Sequence, residues 1–320
     1  MTVVGSTRGA SARPGSVTEP TTGSSRRRPH RDERLRRTAT MAGLALPSLV
    51  LMLVINGYPV VFAAVQSVHG GGLIRMGPLV GAENYAAALT DPAFWAAARF
   101  TLVFTLCGVF GSWVVGYALA LLTRRAFPGQ ALFRVLLLLP WIVPVVVSSM
   151  SWNWLVATRD SLLPELARAL GFGNVLFLAN PTLAVITVCV FKVWISYPFM
   201  MMMSAAALEA VDEQVYEAAT VDGASRWQQL RHITLPVTAR STYISWILMA
   251  MFSVNDFATI YLLTGGGPVN ATTSLVVLAY RAVFQDFLPG YGVAVSFIMT
   301  AVLVVVSVVL FRQIRRSAMA

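Results

Sequence analysis

The chain has 320 residues, of which 57% are hydrophobic and only 12% are charged. Its mean hydropathy is +0.68, a balance that excludes an ordinary soluble domain and indicates a polytopic membrane protein. The net charge of +10 does not indicate nucleic-acid binding, because 9 of the 24 basic residues precede residue 41 and most of the others fall in predicted loops.

The first 40 residues form a basic tail with almost nothing to bury. Glycine, serine, threonine, proline and arginine dominate it, so residues 1–40 are predicted to be disordered. Its arginines cluster between Arg26 and Arg37, directly before an apolar run from Met41 to Val68 that is much longer than the core of an export signal. The tail is therefore predicted to be a cytoplasmic anchor held by anionic membrane lipid, and residues 41–320 a transmembrane domain.

Six apolar stretches are long enough to cross a bilayer as helices, since about 20 residues are needed for a span. They cover residues 41–66, 97–122, 131–156, 181–206, 237–262 and 291–312. The predicted fold is an all-α polytopic membrane protein with six transmembrane helices. With the amino terminus inside, the inner segments hold 18 basic residues and the outer segments hold 5. The positive-inside rule then places both termini in the cytoplasm.

One strongly polar segment, residues 209–236, separates the fourth and fifth spans and holds 5 of the 14 acidic residues. Asp212 is predicted to cap a first short helix, and Gly223 to supply the positive φ at which that helix ends. Ser225, with a glutamine three residues later, forms the capping box of a second short helix. Pro236 is predicted to mark the step from this helix into the fifth span.

The same segment carries a motif at fixed spacing: Glu217-Ala218-Ala219, then Gly223, then Ile233 and Leu235-Pro236. The motif and its place between two spans resemble the cytoplasmic EAA loop of permease subunits in binding-protein-dependent ABC importers. The resemblance implies that residues 209–236 dock on a cytoplasmic ATPase subunit and transmit its movement to the membrane helices. The positions that it assigns to ATPase coupling are Glu217, Ala218, Ala219, Asp222, Gly223, Ala224, Ile233, Leu235 and Pro236.

Further motifs resemble the carbohydrate-uptake branch of these permeases. They are Gly70-Gly71-Gly72, Glu83-Asn84-Tyr85, Asp91-Pro92-Ala93-Phe94-Trp95, Phe133-Arg134, Leu139-Pro140-Trp141-Ile142-Val143-Pro144 and Thr264-Gly265-Gly266-Gly267-Pro268. The resemblance implies a type I ABC importer permease fold, a sugar substrate and a bacterial cytoplasmic membrane. It also implies two ATPase subunits, a second permease subunit, identical or different, and an external solute-binding protein.

The sequence lacks the phosphate-binding loop of an ATPase. Its single lysine, Lys192, follows Phe191, so no Gly-Lys pair exists, and the resemblance places ATP and Mg²⁺ on the partner ATPase. His30, His69 and His232 are too scattered for a metal site, and no Ser, His and Asp cluster suggests catalysis. We expect no cofactor, no metal and no enzymatic activity in this chain.

Two ionisable residues fall inside predicted spans, where a charge is costly and usually faces a cavity or a partner. Lys192 lies in span four and Asp256 in span five, at depths that differ by about 5 Å at the rise of an α-helix, so the two can form an ion pair. With their polar and aromatic neighbours they make a set of pathway candidates: Lys192, Ser196, Phe199, Ser253, Asn255 and Asp256. The alternative is a structural pair that only fixes helix packing. Asn153 and Asn56 are weaker candidates that can simply bridge helices.

Two classes of function are compatible with these observations. One is a transport subunit driven by a separate ATPase. The other is a self-sufficient secondary transporter or channel for a small polar solute, which also places charges within its spans. The EAA spacing favours the first class.

Overall fold

The computed structural model describes residues 31–124 and 127–317, with side chains for residues 40–124 and 127–312. Disorder was predicted for residues 1–40; residues 1–30 lie outside this description, whereas residues 31–40 are helical. The chain divides into two units, residues 1–59 and 60–320. The helices are α1 (Arg31–Met52), α2 (Tyr58–Ser67), α3 (Glu83–Thr90), α4 (Pro92–Leu106), α5 (Ser112–Leu122), α6 (Gln130–Ile142), α7 (Val145–Val156), α8 (Leu162–Ala169), α9 (Pro181–Glu209), α10 (Glu213–Val221), α11 (Arg226–Gln229), α12 (Leu235–Val254), α13 (Ala258–Thr264), α14 (Leu275–Phe284) and α15 (Pro289–Ser317), and the strands are β1 (His69–Gly71) and β2 (Met76–Leu79).

Span one is a single helical run made of α1, a π-helical turn at Leu53–Gly57 and α2. The run begins at Arg31, before the predicted boundary at residue 41, because the arginines, glutamate and leucine at its start are good helix formers. Its stretch Thr40–Ser67 is long and apolar enough to cross a membrane.

Spans two, four and six are long helices close to their predicted positions. They occupy Pro92–Leu122, Pro181–Glu209 and Pro289–Arg312. Asp91 and Asn180 begin the first two by accepting hydrogen bonds from backbone N–H groups of the first turn. The apolar length criterion therefore located these three helices correctly.

Spans two and four approach closely because span two presents glycines to span four. A Cβ at Gly116 would lie 2.6 Å from the backbone nitrogen of Met201. A Cβ at Gly108 would lie 3.2 Å from Cγ of Lys192 and 2.7 Å from Oγ of Ser253. Small residues permit such close contacts between membrane helices. The Gly108 contact holds the Lys192 stem against the bundle.

Span three is not the continuous helix predicted over residues 131–156. α6 ends at Ile142, α7 begins at Val145, and the two helices are bent by 90°. Val143 and Pro144 between them have extended backbones, with ψ of 131° and 135°. The helix stops here because a residue before proline avoids the α conformation and proline has no N–H to donate.

Span five, predicted over residues 237–262, is also broken into two helices. α12 ends at Val254, α13 begins at Ala258, and the bend between them is 46°. Asp256 lies in the break, where its Oδ1 accepts a hydrogen bond from the Thr259 N–H at 3.0 Å. A carboxylate that caps the start of a new helix competes with continuation of the old one.

The start of span five differs from the prediction as well. α11, a π-helical turn at Leu230–Thr234 and α12 form one run from Arg226 to Val254, so Pro236 does not separate a short helix from the span. The π-helical turn directly before the proline shifts the hydrogen-bond register, which allows the helix to continue past a residue without an N–H. The second helix of the polar segment, α11, is therefore continuous with span five.

Two predicted loops contain elements of their own. Residues 69–96 hold α3 and an antiparallel hairpin of β1 and β2, a small exception to the all-α prediction. Residues 264–290 hold α14, which packs against α15 and α4. These elements are shorter than a bilayer requires, so a criterion based on span length passes over them.

Candidate functional site

Lys192 and Asp256 form a buried ion pair between spans four and five. Nζ of Lys192 lies 2.7 Å from Oδ2 of Asp256, and the two side chains are 5% and 13% exposed. The ammonium group also lies 5.4 Å from the ring centroid of Phe104, which is fully buried in span two. The other carboxylate oxygen of Asp256 caps α13. One aspartate thus neutralises a buried cation and fixes the broken helix.

Both helix breaks open onto the same cavity of about 340 Å³. The break in span three contributes Val143 and Pro144, and the break in span five contributes Asp256. The complete lining is Trp141, Ile142, Val143, Pro144, Val145, Lys192, Ile195, Ser196, Asp256, Ala258 and Thr259. Interrupted helices expose backbone polar groups, which membrane proteins tolerate where the backbone lines a cavity. The cavity therefore combines apolar walls with a few converging polar groups, as small-molecule sites do.

An aromatic cluster supports one wall of the cavity. Trp141 lines the cavity and stacks on Phe199 of span four, with ring centroids 5.5 Å apart. Phe252 of span five contacts the same Phe199 ring edge-on at 5.8 Å. Trp141 was not among the six pathway candidates predicted from the sequence. Its position two residues before Val143, the start of the break, was the signal that could have found it.

The six pathway candidates separate into two groups. Lys192, Ser196 and Asp256 line the cavity, and Phe199 lies behind Trp141. Ser253 is buried beside Gly108 and its hydroxyl has no hydrogen-bond partner among the described residues. Asn255 is exposed and donates to the carbonyl of Met251 at 2.9 Å. The last two residues therefore do not join the cavity in this structure.

Asn153 of α7 does bridge helices, because it donates to the carbonyl of Leu263 in α13 at 3.1 Å. Asn56 instead donates to Met52 of its own helix. The Asn153 bond ties the second half of span three to the second half of span five. The helices that follow the two breaks, α7 and α13, are thus connected to each other.

The polar segment between spans four and five folds locally as predicted. Asp212 caps α10 by accepting a hydrogen bond from Gln214 N at 3.0 Å. Gly223 has φ of +80°, and Ser225 and Gln228 form a reciprocal capping box at the start of α11. Each signal is local in sequence, since it involves partners no more than three residues apart. We call residues 209–236 the coupling segment below.

The coupling segment presents its motif at the surface. Glu217, Ala218, Asp222, Gly223 and Pro236 are exposed, and Ala219, Ala224, Ile233 and Leu235 are half-buried. A shallow cavity of about 290 Å³ is lined by Asp222, Gly223, Ala224, Gln228, Gln229, His232 and Ile233. Val221 and Trp227 beside it are 88% and 66% exposed. Large exposed apolar side chains next to a concave surface are typical of protein contacts.

Leu235 differs from the exposed motif positions because its side chain packs against the membrane domain. It packs, with Leu230, against a buried cluster of Tyr117, Ala120, Met201 and Leu208 from spans two and four. The coupling segment is therefore held to the membrane domain by apolar contacts as well as by the continuous helix. Among the described residues, no group of three or more histidine, cysteine, aspartate or glutamate side chains is placed to hold a metal ion.

These features define a class of protein: a multi-span membrane protein with a cavity at two broken spans and an exposed helical segment between two spans. Residues 112–318 match the family described as binding-protein-dependent transport system inner membrane component. The chain belongs to this family. It is a permease of the inner membrane, and the alternative of a self-sufficient transporter is not needed to explain its charged spans.

The chain is similar to several carbohydrate permeases. It is 32% identical over 275 residues to the trehalose/maltose transport system permease of Thermococcus litoralis, covering 85% of this chain and 92% of the relative. It is 31% identical to the sulfoquinovosyl glycerol transport system permease of Agrobacterium fabrum, covering 85% and 89%. The trehalose transport system permease of Mycobacterium tuberculosis is also 31% identical, covering 87% and 88%.

The fold is similar to a solved structure of a bacterial ABC transporter that imports the acidic polysaccharide alginate. The TM-score is 0.77 at 20% sequence identity, and the similarity covers 89% of this chain and 98% of the other. At this identity the comparison establishes the architecture of an ABC importer permease. It extends to the region before residue 112, which the family match does not include.

The ion pair gives a prediction about stability. Lys192→Met or Asp256→Asn alone leaves a buried group without its partner, and breaking a buried pair typically costs about 3 to 5 kcal/mol. The double variant removes both charges and should recover most of that loss, while asparagine retains an oxygen for the α13 cap. The free energy of unfolding of the purified protein in detergent, measured for all four chains, gives the interaction energy directly.

A matched control is Arg168→Met, which removes the exposed pair of Arg168 and Glu165 at 3.8 Å, with side chains 43% and 60% exposed. Exposed pairs contribute little, so this variant should unfold like the wild type. If Lys192→Met and Asp256→Asn were each as stable as the control, the two side chains would not be energetic partners.

Proposed function

We propose that this chain is the membrane-spanning permease of an ATP-driven, binding-protein-dependent sugar importer. The observation that carries the proposal is the coupling segment: an exposed, fully capped pair of helices that bears the EAA motif and continues without a break into span five. A connector with no partner would not need exposed Val221 and Trp227 beside a concave surface. The segment therefore fits a protein that receives mechanical work from another subunit.

The proposed assembly contains this chain, a second permease subunit, two ATPase subunits and an external solute-binding protein. ATP and Mg²⁺ bind to the ATPase subunits, in keeping with the lack of a Gly-Lys pair in this chain. A structurally similar transporter was solved in complex with a periplasmic protein that carries an alginate pentasaccharide. That architecture supports a partner that delivers substrate to the face opposite the coupling segment.

The proposed substrate is a sugar, and the cavity beside the ion pair is its proposed path through this chain. Trp141 offers an aromatic face for the apolar side of a sugar ring, and Ser196, Lys192 and Asp256 offer hydrogen-bonding groups for hydroxyls. The names of the relatives from Thermococcus litoralis, Agrobacterium fabrum and Mycobacterium tuberculosis support a carbohydrate. In this proposal, Lys192 and Asp256 both hold spans four and five together and line the path of the sugar.

The experiment that tests this function is purification of the full chain from its own membranes in mild detergent. An ATPase should copurify in stoichiometric amount, and uptake by the reconstituted complex should need internal ATP and the external binding protein. Gly223→Val forces a β-branched residue to φ of +80° and should lose the ATPase, whereas Gly223→Asn tolerates that backbone and should retain it. Uptake by this chain without any ATPase would contradict the proposal.

The proposed orientation places the coupling segment in the cytoplasm, because the basic residues concentrate on its side of the membrane. In a Cys107→Ala, Cys189→Ala background, single cysteines are introduced at Val221 and Val269, which are 88% and 91% exposed. An impermeant maleimide should label Val269→Cys in intact cells. Val221→Cys should react only after the membrane is opened and peripheral subunits are stripped. Labelling of Val221→Cys in intact cells would reverse the orientation.

A further inference from the structure

Tyr216 occupies a position that the EAA motif does not specify. It precedes Glu217 on α10, and its hydroxyl lies 3.0 Å from Oγ1 of Thr234 in the π-helical turn before α12. Thr234 is 3% exposed, and its own hydroxyl donates to the carbonyl of Gln229 at 3.2 Å. Since a hydroxyl has one proton to donate, Tyr216 is the donor to Thr234. The bond joins the first helix of the coupling segment to the helix that becomes span five.

The ring of Tyr216 has a second contact on another part of the chain. The guanidinium carbon of Arg124, directly after span two, lies 4.6 Å from the ring centroid. A cation over an aromatic face at this distance is attracted by the ring quadrupole. Tyr216 therefore contacts the end of span two through its ring and the start of span five through its hydroxyl.

A parallel contact occurs one turn further along span five. Thr238 donates to the carbonyl of Thr234 at 2.8 Å and lies 2.9 Å from the hydroxyl of Tyr117 in span two. Thr234 and Thr238 are four residues apart and so share one face of the helix. That face is held by Tyr216 from the coupling segment and by Tyr117 from span two.

The two ends of the coupling segment are joined to the membrane domain differently. Between α9 and α10 the chain leaves the helix at Ala210 and turns before Asp212. Between α11 and α12 the helix is continuous through Thr234. The stiff route out of the segment is therefore α12, which ends at Val254 about 30 Å beyond Thr234 at 1.5 Å per residue, directly before the break that holds Asp256.

We propose that Tyr216 is a positioning residue for coupling: its hydrogen bond to Thr234 makes α10 move together with span five. When an ATPase displaces the coupling segment, the helix from Arg226 to Val254 then moves as one rigid body and shifts the break at Asp256. Without the bond, α10 is joined to the helix of span five only through the Gly223 turn and the exposed bond from Gln229 to Thr220, so its movement is transmitted less completely. This inference rests on the proposed function, because it assumes that an ATPase moves the segment.

The test uses the complete reconstituted complex and measures substrate transported per ATP hydrolysed. Tyr216→Phe keeps the ring on Arg124 and removes only the hydroxyl. ATP hydrolysis stimulated by the binding protein should stay within about twofold of wild type, while the transport ratio should fall at least fivefold. Thr234→Val should lower the ratio equally, the double variant should lower it no further, and Thr234→Ser, which retains a hydroxyl, should restore it.

The control is Tyr243→Phe, which removes a hydroxyl from an exposed part of α12 outside this hydrogen-bond set. Its transport ratio should equal that of wild type. Because transport and ATP hydrolysis both come from the folded complex, their ratio does not depend on how much of the complex folds. A wild-type ratio in Tyr216→Phe, or a parallel fall of hydrolysis and transport, would overturn the inference. If the wild-type complex itself showed no ATP-driven uptake, the proposed function would fail instead.

Discussion

The ion pair of Lys192 and Asp256 determines how the centre of this membrane domain is arranged. An ionised group in a low-dielectric interior costs several kcal/mol, and only a close partner with further hydrogen bonds offsets that cost. Asp256 meets both needs, since one oxygen binds the lysine and the other caps α13. A carboxylate inside an unbroken helix would lack the free N–H of Thr259. The break in span five and the charge of Lys192 therefore depend on each other.

The same constraint links the cavity to the distant coupling segment. The helix that begins at Arg226 in the coupling segment ends at Val254, directly before the break. Rotation or translation of this helix changes the position of Asp256 relative to Lys192 on span four, and packed helices respond to such shifts by moving between discrete arrangements. The cavity lined by Trp141, Lys192 and Asp256 lies at the end of this helix that is farther from the coupling segment. A movement of the segment and the shape of the cavity are thus mechanically connected.

The helix caps and the depths of residues along the spans could be predicted from the sequence, whereas the bends within spans could not. The caps at Asp212 and Ser225 follow from partners a few residues apart, and the pairing of Lys192 with Asp256 followed from their similar depth. Apolar length located the spans but carried no information on direction, so the 90° bend at Val143 and Pro144 was missed although the proline was visible. The place of Trp141 in the cavity depends on that bend.

The central claim is that the cavity between the two breaks is part of the path of the substrate. The most direct measurement is a structure of the complete complex, trapped with a hydrolysis-deficient ATPase and the sugar carried by its binding protein. We expect sugar density within hydrogen-bonding distance of Ser196 or the ion pair and against the ring of Trp141. Sugar density elsewhere in the membrane, with this cavity collapsed or filled by lipid, would contradict the account.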